Sequence, residues 1–252
     1  MKLVIPQNIY SAFFALSLDD KQKENVISKP SSLITKSIQS GEADIALIPS
    51  LDLINNRELF VSQKIAISFD GFLSNAYLYF KPNQNDFKNL FLQGDVSANE
   101  VILSKIIFSE MYDSQVEIKL DTEETKLEKF NYLICGDENY NKKLMNKGLS
   151  FADEIAEYLD FPYTNYLLAA KNENALTEFT QSLTDLDKKV EDNIGNYLDK
   201  MQYQKELTET LKANINSVYF ELTDNEIDGL NELLRLPFFH GIIEEVVEIN
   251  YV

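Results

Sequence analysis

Short polar side chains follow several apolar runs of this chain and offer hydrogen bonds to an oxygen-rich ligand. Asn8 comes just after the apolar run 3–5, and Ser50 follows the run 45–48. Amides and hydroxyls donate to carboxylates and to ligand hydroxyls. Each residue also has a purely structural interpretation. Asn8 could cap the helix that follows it. Ser50, which comes after Pro49, could equally mark an ordinary strand-to-loop junction.

A second polar group stands at residues 70–75. Asp70-Gly71 is a strong turn pair, and Ser74 and Asn75 come shortly before a strand predicted at 77–81. Both side chains can bind a carboxylate or a hydroxyl, but an amide does not lose a proton readily. The pair therefore indicates ligand binding, with Asn75 the weaker acid–base group.

The third candidate is the start of a helix predicted over residues 100–111. Ser97 and Asn99 introduce this helix. A helix N-terminus presents unpaired N–H groups and a partial positive charge, so it can bind an anion.

Charge restricts the possible partners. The 252 residues carry 23 basic and 41 acidic side chains, a net charge of −18. Such a surface repels nucleic acid and anionic membranes, so neither is expected as a partner. Arg57 and Arg235 are the only arginines. An anionic ligand would therefore depend on lysines, hydroxyls and helix N-termini.

The rare residue types exclude other chemistry. Cys135 is the only cysteine and lies in an apolar run, which indicates a buried, unreactive thiol. His240 is the only histidine, stands next to Gly241, and is predicted to end a helix. Neither a cysteine-rich nor a histidine-rich metal site is expected. We see no signal-like or membrane-spanning segment and expect a cytoplasmic protein.

Strands alternate with helix-length segments, which predicts an α/β fold with mixed, mainly parallel sheets and helices on both faces. We predict a short helix over 86–92 and a strand returning at 164–170. From residue 173 the chain is predicted to be mostly helical.

Four stretches resemble the chorismate dehydratase family of the futalosine route to menaquinone. They are Gly41 to Ser50 (GEADIALIPS), Asp70 to Lys81, the strand at 132–137 that ends in Gly136-Asp137, and the pattern Tyr-Phe-Glu-Leu followed by Glu-x-x-Gly-Leu at 219–230. The resemblance implies the two-lobed fold of type II periplasmic binding proteins, with an inter-lobe cleft. One lobe would comprise 1–78 and 172–252, and the other 79–171.

The resemblance further implies a carbon–oxygen lyase that converts chorismate to 3-[(1-carboxyvinyl)oxy]benzoate and water without a cofactor. The implied catalytic residues are Asn8, Ser74 and Asn75. The implied substrate-binding residues are Ser50, Gly71, Ser97 and Asn99.

Two departures from the family pattern accompany these assignments. Asn75 stands where the family has a serine, and residues 98–101 (ANEV) replace a Ser-Arg-Thr-Ser run. A non-catalytic cytoplasmic binding protein for a carboxylate metabolite is therefore the alternative. A third candidate is the sister enzyme of the pathway, which makes 1,4-dihydroxy-6-naphthoate with a histidine base. His240 lies in the wrong part of the chain for that role.

Overall fold

The computed structural model describes residues 1–83, 87–142, 144–201, 203 and 205–252. The strands are β1 Leu3–Pro6, β2 Val26–Lys29, β3 Ile45–Pro49, β4 Phe60–Phe69, β5 Ala76–Tyr79, β6 Asn89–Gly94, β7 Glu117–Leu120, β8 Asn131–Cys135, β9 Leu149–Ser150, β10 Tyr163–Ala170, β11 Val218–Glu221 and β12 Asn250–Tyr251. The helices are α1 Ile9–Ser17, α2 Asp20–Lys23, α3 Ser31–Gln39, α4 Ala98–Tyr112, α5 Glu138–Asn141, α6 Phe151–Leu159, α7 Glu173–Gln181, α8 Leu186–Met201, α9 Lys205–Asn214 and α10 Asp224–Phe239. Short 3-10 helices span Ser50–Asn55, Met145–Lys147 and Ile215–Ser217.

The larger sheet takes strands from both ends of the chain, in the order β11-β4-β10-β3-β1-β2, with β12 beside β4. Strands β1, β2 and β3 are parallel, whereas β10 is antiparallel to both β3 and β4. Every residue of β1, β3 and β10 is buried. Strands β1 and β3 are the continuous apolar runs expected of strands covered on both faces, whereas β10 also buries Thr164 and Asn165.

The smaller sheet is built from the middle of the chain, in the order β7-β6-β8-β5-β9. Strand β6 is parallel to β7 and β8, and β5 is antiparallel to β8 and β9. The protein thus has two α/β lobes with one sheet each. Both sheets mix parallel and antiparallel pairs, in agreement with the predicted α/β fold with mixed sheets.

The lobe boundaries predicted at 78/79 and 171/172 need correction. Strand β5 (76–79) begins before the first boundary and belongs to the smaller sheet, and β10 (163–170) lies in the larger sheet before the second. The chain therefore crosses between sheets at about residues 70–75 and again at 160–162.

The helix predicted over 86–92 is wrong where the structure describes it, because β6 starts at Asn89; residues 84–86 lie outside the described part. Leu90 and Leu92 are both buried, which is the two-residue period of a strand. Two neighbouring strands supply the backbone hydrogen bonds that stabilise β6. Across the described ranges, no helix is long and apolar enough to cross a membrane.

Candidate functional site

The two sheets direct the carboxyl ends of their parallel strands at each other. Asn8 follows β1, Ser31 follows β2 and Ser50 follows β3 in the larger lobe. Asp95 follows β6 and Asp137 follows β8 in the smaller lobe. In open α/β sheets, ligands bind beyond the carboxyl ends of the strands. The junction where these five residues lie is the candidate site.

Helix α1 has its N-terminus at this junction. Asn8 is its N-cap, and its Oδ1 accepts from the backbone N–H of Ser11 at 2.9 Å. The N–H of Ile9 donates instead to Asp137 Oδ1 of the other lobe, at 3.0 Å. Asn8 is only 4% exposed, and its Nδ2 has no hydrogen-bond partner within the described residues. The side chain thus caps the helix and keeps a spare buried donor.

Helix α3 contacts the smaller lobe through a second carboxylate. The N–H of Ser31 donates to Asp95 Oδ1 at 2.7 Å, and its hydroxyl donates to Asp95 Oδ2 at 2.6 Å. The Ser31 and Tyr166 hydroxyl oxygens are 2.9 Å apart, and Asn75 Nδ2 donates to Tyr166 at 3.0 Å. Since the one proton of Ser31 goes to Asp95, Tyr166 must donate to Ser31.

Asn75 therefore starts a directed chain of hydrogen bonds that ends at the Asp95 carboxylate. Its own Oδ1 is buried and lacks a hydrogen-bond partner in the part of the chain described. Asn75 has a spare acceptor, as Asn8 has a spare donor.

Helix α4 has a different N-terminus, which its own residues satisfy. Glu100 Oε2 accepts from the N–H and the hydroxyl of Ser97, both at 2.7 Å, and Ser97 Oγ accepts from the N–H of Asn99 at 3.2 Å. This is a capping box, in which a cap residue and the residue three positions on satisfy each other. A side-chain carboxylate thus already fills the anion position predicted near Ser97.

Asn99 and Ser50 meet where α4 contacts the larger lobe. Asn99 Oδ1 accepts from the N–H of Leu51 at 2.9 Å, and its Nδ2 donates to the carbonyl and side-chain oxygens of Asn165, both at 2.8 Å. The Ser50 hydroxyl lies 3.5 Å from Asn99 Oδ1. Both residues are fully buried. The hydrogen bonds of Asn99 connect the lobes and leave its amide little capacity for a ligand.

Ser74 and Gly71 lie on the segment that crosses from one sheet to the other. The Ser74 hydroxyl donates to the carbonyl of Ala76 at 2.6 Å and accepts from the N–H of Ala152 at 3.1 Å, near the start of α6. The Gly71 carbonyl accepts from Ser150 Oγ at 3.1 Å. The hydrogen bonds of both residues therefore hold α6 against the crossing segment. Of the seven predicted site residues, Asn8 and Asn75 keep unpaired polar atoms at the junction.

Burial determines the electrostatics of the three carboxylates. It raises the pKa of Asp137 to about 6, and the nearby Asp95 charge adds to the rise, against hydrogen bonds from Ile9 and Tyr203. Burial also raises the pKa of Asp95, which its bonds from Ser31 oppose. The pKa of Glu100 is raised by burial, with a contribution from the charge of Asp95. The junction is therefore crowded with negative charge.

Neither Asp95 nor Asp137 appeared among the predicted site residues, although the sequence carries a signal for them. Each follows a glycine with a positive φ at a strand end: +89° at Gly94 and +71° at Gly136. A Cβ on Gly94 would lie 2.1 Å from the Cys135 carbonyl oxygen. The repeated strand-Gly-Asp pattern makes the tight turn that brings each aspartate to the larger lobe.

A crevice of about 460 Å³ opens between the lobes beside this junction. Pro30 and Ser32 line it from the larger lobe, and Asp95, Glu138 and Lys142 are among the residues that line it from the smaller lobe. The crevice gives solvent access to the Asp95 side of the site.

The remaining candidates for other chemistry are inert. Cys135 is completely buried, and burial raises the pKa of its thiol well above the ordinary value. His240 is the C-cap of α10, as predicted, with Nε2 3.5 Å from Glu110 Oε1. Throughout the described residues, no group of three His, Cys, Asp or Glu side chains could hold a metal ion.

Solved structures share the fold at low sequence identity. Protein AF1704 from Archaeoglobus fulgidus superposes with a TM-score of 0.68 at 14% identity, over 96% of this chain and 98% of that one. The alkanesulfonate-binding protein SsuA from Xanthomonas axonopodis pv. citri, bound to MOPS, gives 0.66 at 10% identity over 98% and 95%. The periplasmic aliphatic sulphonate binding protein SsuA from Escherichia coli gives 0.61 at 9% identity over 99% and 95%. The fold is that of the periplasmic binding proteins.

Sequence comparison gives the family. No curated protein matches this chain. A family model described as menaquinone biosynthesis, however, matches residues 6–238, which is nearly the whole chain. This match includes the strand ends, the helix N-termini and the inter-lobe carboxylates described above. The chain belongs to the menaquinone biosynthesis family.

Proposed function

We propose that this protein is a chorismate dehydratase, which eliminates water from chorismate to give 3-[(1-carboxyvinyl)oxy]benzoate. Membership of the menaquinone biosynthesis family supports a step in that pathway. The resemblance of residues 41–50, 136–137 and 219–230 to chorismate dehydratases supports this particular step. The sulfonate-binding proteins that share the fold support a small anionic ligand.

The observation that carries the proposal is the pair of unpaired amide atoms at the lobe junction. Asn8 Nδ2 is a donor and Asn75 Oδ1 an acceptor, and neither has a partner among the residues that the structure describes. A buried polar atom without a hydrogen bond costs about 1–3 kcal/mol. Chorismate supplies carboxylates for the donor and a ring hydroxyl for the acceptor, so its binding would recover this cost.

The reaction requires mainly that the protein bind the substrate and orient its departing hydroxyl. A proton leaves the ring carbon that bears the enolpyruvyl ether, the neighbouring hydroxyl departs, and the ring becomes aromatic. We assign Asn8 to donating a hydrogen bond to the departing hydroxyl or a carboxylate, and Asn75 to orienting the hydroxyl. The enolpyruvyl carboxylate of the substrate serves as the base. Ser74 positions Asn75, because backbone groups already occupy its hydroxyl.

A second candidate is a non-catalytic binding protein for a carboxylate metabolite, and the start of α4 favours it. Asn99 stands where the resemblance implies an arginine, and its amide is occupied by Leu51 and Asn165. Glu100 places a carboxylate at the same helix N-terminus. The site thus lacks the cation that would bind a substrate carboxylate there.

Turnover of chorismate by the purified protein tests the proposal. We expect loss of chorismate together with formation of the aromatic product, followed by chromatography. Asn8→Asp keeps an oxygen to cap α1 but removes the Nδ2 donor, so kcat/KM should fall about 100-fold. The control is Asn172→Asp, because Asn172 caps α7 through the same type of bond, from the Ala175 N–H at 3.0 Å.

The control variant should keep wild-type turnover. Chorismate that binds but is not consumed would favour the non-catalytic candidate. A wild-type protein that neither binds nor consumes chorismate would contradict the proposed function.

A further inference from the structure

We infer that Asp95 and Asp137 act as an internal ligand: in the free protein they occupy, at the N-termini of α3 and α1, the two positions that the carboxylates of a dicarboxylate metabolite take on binding. The inference rests on the proposed function for its ligand class. Binding is then an exchange, in which the ligand replaces the inter-lobe carboxylates and the two lobes separate there.

The geometry of the two contacts is the first step of the argument. Both aspartates come from the smaller lobe, and each accepts the first N–H of a helix in the larger lobe, Ile9 in α1 and Ser31 in α3. A carboxylate at a helix N-terminus has the favourable position of a bound anion. The protein therefore places its own carboxylates where a helix N-terminus binds an anion.

The residues at the start of α1 and α3 provide no acceptor for the first N–H of the helix, so this N–H needs an acceptor from elsewhere. The N-cap of α3 is Pro30, whose side chain has no hydrogen-bonding atom. The N-cap of α1 is Asn8, whose Oδ1 is used by Ser11 and leaves the N–H of Ile9 to Asp137. By contrast, Glu100 satisfies α4 from within the same helix. Of these three helices, α1 and α3 take the acceptor for their first N–H from the opposite lobe.

An unpartnered side chain at the same position points to a ligand. Asn8 is more than nine-tenths buried at the N-terminus of α1, yet its Nδ2 lacks an acceptor in the described ranges. Asp137 gives its oxygens to Ile9 and, at 3.5 Å, to the Tyr203 hydroxyl. A ligand carboxylate at this position would bind Ile9 and Asn8 together, and so satisfy one donor more.

The cost of keeping the two aspartates half-buried also favours exchange. Neither Asp95 nor Asp137 is paired with a lysine or arginine in the described part of the chain, and the two charges repel each other. Separation of the lobes returns both carboxylates to water, which lowers their desolvation cost. The ligand carboxylates then accept the hydrogen bonds of the N–H groups of Ile9 and Ser31.

The test compares wild type with Asp95→Asn/Asp137→Asn and with Asp95→Ala/Asp137→Ala. The asparagine pair keeps an oxygen acceptor in place of each charge, and the alanine pair removes the acceptor. The control is Asp187→Asn, because Asp187 is also a half-buried aspartate that accepts a backbone N–H, from Phe220, but both residues belong to the larger lobe.

Two measurements are made on each protein. The first is made without ligand: X-ray scattering, together with hydrogen exchange of the peptides that contain Ile9 and Ser31. The second is the dissociation constant for isophthalate, an unreactive aromatic dicarboxylate, with benzoate as the monocarboxylate comparison.

We expect the alanine pair to raise the radius of gyration by a few per cent above the ~18 Å of a compact chain of this length. Hydrogen exchange at both helix starts should also become faster. The asparagine pair should bind isophthalate about tenfold more tightly than wild type does, with a smaller gain for benzoate. Asp187→Asn should change neither measurement.

Unchanged scattering and exchange in the alanine pair, or weaker isophthalate binding by the asparagine pair, would overturn the inference. So would a failure of every variant to bind isophthalate. The proposed function is tested separately by chorismate turnover. Normal turnover with unchanged scattering would reject the internal ligand alone, whereas absent turnover with the expected scattering and isophthalate results would reject the dehydratase alone.

Discussion

Helices α4 and α3 both begin at the lobe junction with a carboxylate that accepts hydrogen bonds at the helix start, but the two carboxylates lie at different distances along the chain. In α4 the acceptor is Glu100, three residues from the cap residue Ser97. In α3 it is Asp95, sixty-four residues from Ser31 and in the other lobe. The first contact stabilises one helix, whereas the second also joins two lobes. The helix-start contacts of α3 and α1 are therefore the ones that the inferred ligand exchange would break.

The largest effect should come from Asn99, the residue of α4 that does contact the other lobe. Asn99→Ala would leave the N–H of Leu51 and the carbonyl of Asn165 without their partner in a fully buried position. We expect the free energy of unfolding in urea to fall by about 3 kcal/mol, since each buried unpaired group costs about 1–3 kcal/mol. Exposed Asn174→Ala is the control and should stay within about 0.5 kcal/mol. A loss as small as that of the control would show that α4 does not hold the lobes together.

Replacement of Asp137 should have the next largest effect on the free energy of unfolding, and the sign of this effect follows from the pKa of Asp137. Folding raises this pKa to about 6 from an unfolded value near 4, so the folded state binds the proton more tightly. Ionisation of Asp137 therefore lowers the stability of the folded protein as pH rises from about 4 to 6. Above pH 6 this destabilisation is complete and stays constant. Asp137→Asn, which keeps an acceptor for Ile9, should stabilise the protein at pH 8 by about 1–2 kcal/mol and change it little at pH 4.

Urea unfolding at both pH values measures this difference between the two proteins. An equal effect of Asp137→Asn at pH 4 and pH 8 would contradict a raised pKa. A stabilisation that appears only at the higher pH would distinguish this inter-lobe contact from an ordinary helix cap.

The smallest effect should come from the local cap of α4. Ser97→Ala removes the hydroxyl of the capping box and should cost about 1 kcal/mol in urea unfolding. Thr223→Ala removes the same group from the capping box of α10 and should cost about the same. Neither change should alter hydrogen exchange at Ile9 or Ser31. Faster exchange there in Ser97→Ala would show that the local and inter-lobe caps are coupled.

The sequence by itself determined the features that depend on neighbouring residues. The buried strands β1, β3 and β8, the helix that Ser97 introduces and the end of α10 at His240 were all predicted, because apolar runs, capping residues and turn pairs act within a few residues. The two-lobed fold followed from the resemblance, and the family match and the shared fold confirm it.

Tertiary structure alone decided the pairings across the chain. Strand β6 was predicted as a helix, since a short apolar run fits either state until neighbouring strands supply its hydrogen bonds. Strand β5 pairs with β8 and β9 in the smaller lobe, which moved the first predicted boundary. Strand β10 pairs with β3 and β4 in the larger lobe, which moved the second. The roles of Asp95 and Asp137 depend on the same long-range contacts. A Gly-Asp after a strand predicts a turn, but only the packing of the two lobes brings those carboxylates to the N–H groups of α3 and α1.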